Sequence, residues 1–110
     1  MNALKRTALI QEFEEYLKGS VLSFKKEVVF SSIMNTKRKF RADYFIEFPN
    51  YYKNCIIEIN GGQWSNGRHN RGGKGYENDL TKLNLAQKNG FRIFQFTYEM
   101  LERQEYKEYL

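Results

Sequence analysis

The chain has 110 residues, is 41% hydrophobic and 16% aromatic, and carries one cysteine and a net charge of +5. That length suits one small domain with a limited core, and a single cysteine excludes an intramolecular disulfide or a zinc cluster of cysteines. No apolar run approaches membrane-spanning length or forms a signal-peptide core, so a cytosolic protein is expected, and the basic balance favours an anionic partner, most often nucleic acid.

Thr7 can cap a first helix that runs to about Lys18, with Gly19 as its stop. Leu9, Phe13, Tyr16 and Leu17 recur at helical spacing and predict its buried stripe. Glu12, Glu14 and Glu15 fill other positions, mostly on a solvated face. Residues 21–30 form a candidate strand region, with Lys25-Lys26-Glu27 inside it and Val28, Val29 and Phe30 as strong strand formers. Residues 31–39 are polar and basic and read as a hairpin connection. The next strand covers Arg41 to Phe48 and is closed by Pro49-Asn50.

A central strand follows over Cys55 to Asn60. Side chains alternate along a strand, so Cys55, Ile57 and Ile59 share one face and Ile56, Glu58 and Asn60 the other. Cys55 should be an inert buried thiol. An acid in so apolar a run is costly unless a metal ion or a cation partners it. Gly61-Gly62 then turns the chain sharply. Residues 61–75 form a long polar, glycine-rich loop, of the kind that usually carries function.

A second helix starts at Gly75 or Tyr76 and runs to Asn89, with Tyr76, Leu80, Leu83 and Ala86 or Gln87 on its apolar stripe and Gly90 as its stop. Phe91 to Thr97 is a fourth strand, and Tyr98 to Leu110 a short charged helix. Tyr44, Phe45, Phe94 and Phe96 should be core. The first three strands are close enough in sequence to pair antiparallel, and the fourth returns after a helix to lie parallel to the third. The expected fold is α/β, a mixed sheet in the order α-β-β-β-α-β, flanked by helices, in one domain over 1–110.

If the second and third strands pair as neighbours, Asp43 and Glu58 reach the same sheet edge. Two carboxylates and one further oxygen, from the Asn60 side chain or the Ile59 carbonyl, suit Mg²⁺. Such an ion would activate water and stabilise charge on a phosphate. Arg41, Arg68, Arg71 and Lys74 are the basic groups that would hold the remaining polyanion. Each has a plainer reading: Asp43 can simply pair with Arg41 or a lysine, Asn60 can be a turn residue, and loop charges can be solvated.

The segments Arg38-Lys39-Phe40-Arg41-Ala42-Asp43, Glu58-Ile59-Asn60-Gly61-Gly62-Gln63-Trp64, Gly67-Arg68-His69, Asp79-Leu80-Thr81-Lys82 and Asn89-Gly90-Phe91-Arg92-Ile93 occur in this order. Over roughly residues 38–98 the chain resembles the PD-(D/E)XK superfamily of restriction-endonuclease-like nucleases. Within it, the pattern is similar to small phage and bacterial endonuclease-like proteins related to the very-short-patch-repair nucleases. The resemblance implies metal-dependent phosphodiester hydrolysis on DNA, with Mg²⁺ (or Mn²⁺ in its place) held by Asp43 and Glu58.

Asn60 stands where the superfamily has lysine. Lys82 could then supply a displaced ammonium, although a helix lysine more often sits at the surface paired with a nearby acid such as Asp79. His69 could transfer protons or simply be exposed. A glutamate of the first helix often completes such sites, and Glu14 fits best through its Glu-x-x-Leu spacing. The resemblance implies phage or mobile-element DNA metabolism, by nicking or structure-specific cutting. One active site per chain would need a homodimer, or two successive events, to cut both strands. The alternative is a catalytically inactive nuclease-fold module that binds nucleic acid or a nuclease or phage protein partner.

Overall fold

The structure, a computed structural model, describes residues 1–20, 23–29, 41–48, 53–59 and 74–110. Helix α1 spans Ala3–Ser20, strands β1, β2 and β3 span Lys25–Val29, Arg41–Ile46 and Cys55–Ile59, helix α2 spans Lys74–Lys88, β4 spans Arg92–Phe96, and α3 spans Tyr98–Glu102. A 3₁₀ turn over Glu105–Glu108 follows. The strands form one mixed sheet in the order β1-β2-β3-β4. β1 and β2, and β2 and β3, are antiparallel, whereas β3 and β4 are parallel. The mixed α/β architecture and the pairing therefore follow the sequence expectation. The hairpin connection at 31–39 and the Pro49-Asn50 turn lie outside the described residues.

Local chemistry sets most boundaries. α1 begins earlier than the Thr7 cap predicts, because Asn2 Oδ1 accepts from the Lys5 N–H at 2.8 Å and so closes the first turn. Thr7 instead sits inside the helix and donates its hydroxyl to the Ala3 carbonyl. The helix also passes through Gly19 to end at Ser20. Gly90 does stop α2: it adopts φ 82°, its N–H reaches the Gln87 carbonyl, and the Phe91 N–H reaches that of Ala86. This is the paired hydrogen bonding of a left-handed glycine cap. The predicted C-terminal helix is split, because Gln104 takes φ 57° between α3 and the 3₁₀ turn.

The sheet separates two apolar layers. On one side Leu9, Phe13 and Leu17 of α1 pack with Tyr44, Ile46, Cys55, Ile57, Phe96, Leu101 and Tyr106. Phe13 meets the rings of Tyr44 and Tyr106 edge-on at 5.3 and 5.0 Å between centroids, a favoured aromatic geometry. On the other side Ala86 and Leu85 of α2 pack with Ala42, Phe45, Ile56, Phe91 and Ile93. Leu80, expected on the α2 stripe, is exposed, and Leu85 packs there instead. Phe94 is half-buried beside Tyr109. Cys55 is buried, and burial pushes its thiol up to about 11 against the opposing charge of Arg92, in keeping with an inert thiol. Among the described residues no helix is long and apolar enough to cross a membrane.

Phe13 is fully buried at the junction of α1, the sheet and the C-terminal turn. Phe13→Ala should cost about 3–5 kcal/mol, read as a lower midpoint in urea denaturation with little change in slope.

Candidate active site

Strand alternation in β1 and β2 changes phase at one step. Phe24 packs on the α1 side and Val28 on the α2 side, although an even spacing should keep them on one face. Across the ladder Tyr44 lies on the α1 side and Ala42 on the α2 side. The residues between are Glu27 and Asp43, and Glu27 carries the left-handed φ of 54° that lets β1 make the change. Pairing on the other flank of β2 also ends here, with Tyr44↔Ile57 as its terminal pair. Asp43 and Glu58 occupy the next register step, where the two strands part.

Side chains satisfy the backbone groups at this fork. The Ile59 N–H donates to Asp43 Oδ2 at 2.8 Å, a charge-assisted bond in place of a ladder bond. The Arg41 carbonyl accepts from Lys82 Nζ at 2.5 Å. Lys82 also forms an ion pair with Glu58 Oε1, and the two side chains are only 14% and 15% exposed. That contact pairs the charges without the alignment of a hydrogen bond. The cation that an acid in an apolar strand requires thus comes from α2.

On the α1 side of the fork lies an open pocket of about 370 Å³, lined by Ile10, Glu14, Lys26, Glu27, Asp43, Tyr44, Ile59 and Tyr98. Ile10 and Glu14 stand one turn apart on α1, so both reach the pocket beside the buried stripe. Of the three central glutamates of α1, Glu14 is the one in this pocket; Glu15 pairs with Lys18, and Glu12 accepts from Gln104 at 2.8 Å. Glu14 Oε2 accepts from the Tyr44 hydroxyl at 2.6 Å and from Lys26 Nζ at 2.9 Å. Burial pushes the Glu14 carboxyl up, but the Tyr44 hydroxyl and the Lys26 ammonium outweigh it and hold it below the ordinary value of 4.5. Burial, and then the hydrogen bond to Glu14, push the Tyr44 hydroxyl well above its usual range, so it remains a donor.

The structure therefore gathers Glu14, Asp43 and Ile59 at one pocket, and places Glu58 with Lys82 toward α2. Arg41 is exposed at the start of β2. Lys74 opens α2. Asn60, Arg68, His69 and Arg71 lie outside the described residues. Sequence reasoning missed Lys26, Glu27 and the Tyr44 hydroxyl. The signal available was Lys25-Lys26-Glu27, a charged run inside a strand that otherwise reads as apolar.

Lys82→Met should strand the Glu58 carboxylate and cost about 3 kcal/mol, with part of the loss recovered in the Glu58→Gln/Lys82→Met double variant; chemical denaturation reads both. The folded pKa of Glu14 is lowered, so its stabilising contribution is complete above the unfolded value and disappears as pH falls through the folded one. Tyr44→Phe should raise the Glu14 pKa toward 4.5 and shift that acid loss of stability to higher pH, measured by carboxyl NMR titration and by denaturation from pH 2 to 6.

No family model matches the chain, and neither a curated protein nor a solved structure does.

Proposed function

We propose that the chain is a metal-dependent DNA endonuclease that hydrolyses phosphodiester bonds by nicking or structure-specific cutting, on a restriction-endonuclease-like sheet. The observation that carries this reading is the fork between β2 and β3. There Asp43 is pinned by the Ile59 N–H beside an open pocket that Glu14 also lines, at the register step it shares with Glu58, one step beyond the last paired residues. Such a donor set is all oxygen, which suits Mg²⁺ or Mn²⁺ and not a thiolate-seeking metal. Among the described residues no three His, Cys, Asp or Glu side chains converge enough to hold an ion by themselves. Glu14 and Asp43 would hold it with the Ile59 carbonyl, waters and a substrate phosphate, the sparse protein ligation typical of Mg²⁺.

Bound there, the ion supplies an activated water and neutralises phosphate charge. The remaining work belongs to the chain. The Ile59 N–H fixes the direction of the Asp43 carboxylate. Tyr44 and Lys26 keep Glu14 ionised and aimed at the pocket. Lys82 ties the Arg41 carbonyl and Glu58 to α2, so the two strands hold their separation as the site is used. The exposed Arg41 and the net charge of +5 favour approach of a polyanion.

The test is incubation of the purified chain with supercoiled, linear and branched DNA in Mg²⁺, Mn²⁺ or EDTA. Cleavage that needs the metal, and that falls about 100-fold or more in Asp43→Asn, is the expected result. Salt-sensitive DNA binding with no cleavage on any substrate would replace the enzyme with the inactive binding module.

A further inference from the structure

Among the described residues, two lysines stand at the fork with a carboxylate as partner, Lys82 and Lys26. Lys82 is 14% exposed, lies on the α2 side of β3, and has both Glu58 and the Arg41 carbonyl as partners. Releasing it would strand a carboxylate in an apolar strand and free a backbone carbonyl. Its surroundings make it a clamp between strand and helix.

Lys26 differs in each respect. It lies opposite Tyr44 in the ladder, before the change of phase, and so on the α1 side. It lines the same pocket as Asp43. Its side chain is 56% exposed, and Glu14 is its partner there at 2.9 Å. Glu14 is in turn fixed by the buried Tyr44 hydroxyl. A chain of contacts from the core thus aims an ammonium that is 56% exposed at the pocket, and when it moves Glu14 keeps the Tyr44 hydroxyl as its partner. A flexible four-carbon stem lets the charge swing from Glu14 to an arriving oxyanion without rebuilding the fold.

We propose that Lys26, and not Lys82, is the ammonium that meets the substrate phosphate, with Glu14 holding it in place until the DNA arrives. The assignment rests on the nuclease reading and names a residue for it. The acids of the pocket would carry the divalent ion, and Lys26 adds the positive charge that a phosphate needs beside so many carboxylates.

The test compares Lys26→Gln, Lys26→Arg and Lys82→Gln with the wild type in three measurements: DNA cleavage in Mg²⁺, DNA binding in Ca²⁺ across a salt series, and urea denaturation. Lys25→Gln is the control, since Lys25 pairs with Glu47 at 3.3 Å and does not line the pocket. Lys26→Gln should lower kcat about 100-fold and reduce the salt slope of binding by about 1, with a denaturation midpoint lowered less than in Lys82→Gln. Lys26→Arg should keep the salt slope. Lys82→Gln should instead lower the midpoint and leave the salt slope of the folded protein intact. A wild type that binds or cuts DNA while Lys26→Gln matches it overturns this assignment alone. A wild type that neither binds nor cuts DNA removes the nuclease reading and this assignment with it.

Discussion

A carboxylate in the middle of an apolar strand must find a cation, and for Glu58 that cation is Lys82. The consequence reaches well beyond one ion pair. Lys82 stands on α2, so satisfying Glu58 fixes where α2 lies against the sheet. The same ammonium takes the Arg41 carbonyl, so it also holds the start of β2. Three elements meet at one nitrogen, at the place where β2 and β3 cease to pair. Paired charges in a sparsely hydrated place are costly to separate, which makes this junction a rigid edge for the neighbouring pocket.

The opposite side of the fork follows another rule. Its ammonium is more exposed, and its hydrogen bonds hold carboxylates ready without sealing them. Asp43 takes one backbone N–H, and Glu14 takes a buried hydroxyl and an exposed ammonium. The strain of a left-handed Glu27 lies at the same step. Backbone of that kind persists where the surrounding structure determines it, and it gathers at sites that do work. One side of the sheet is therefore closed by charge pairing, and the other is open and polar. The division lets a small domain combine stability with access.

Much of the fold was legible. The stripe of Leu9, Phe13, Tyr16 and Leu17, the glycine stop at Gly90 and the apolar run of β3 each announce an element through period or turn chemistry, and the structure has them. The misses are equally local in cause. Thr7 looked like a cap, yet Asn2 offers a carboxamide at the right spacing and wins the first turn. Leu80 satisfied the period of α2, but the helix turns Leu85, beside the expected Ala86, to the sheet. The helix after Tyr98 was read as continuous because nothing in its composition marks Gln104 as a left-handed residue.

By itself the sequence determined which residues could bear charge in an apolar setting, because alternation places Glu58 opposite Ile57 and Ile59 whatever the fold. It also determined the order of helices and strands as far as β4 and the antiparallel-then-parallel pairing, since short connections favour the first and a helical crossover the second. Tertiary structure alone decided the partners. That Lys82 serves Glu58, that Glu14 is the α1 acid turned to the sheet, and that Lys26 shares a pocket with Asp43 depend on how helices pack on the two faces and on a change of strand phase at Glu27 and Asp43. Periodicity is a property of one segment, whereas each of these contacts joins segments far apart in the chain, and only the packed core sets their distance.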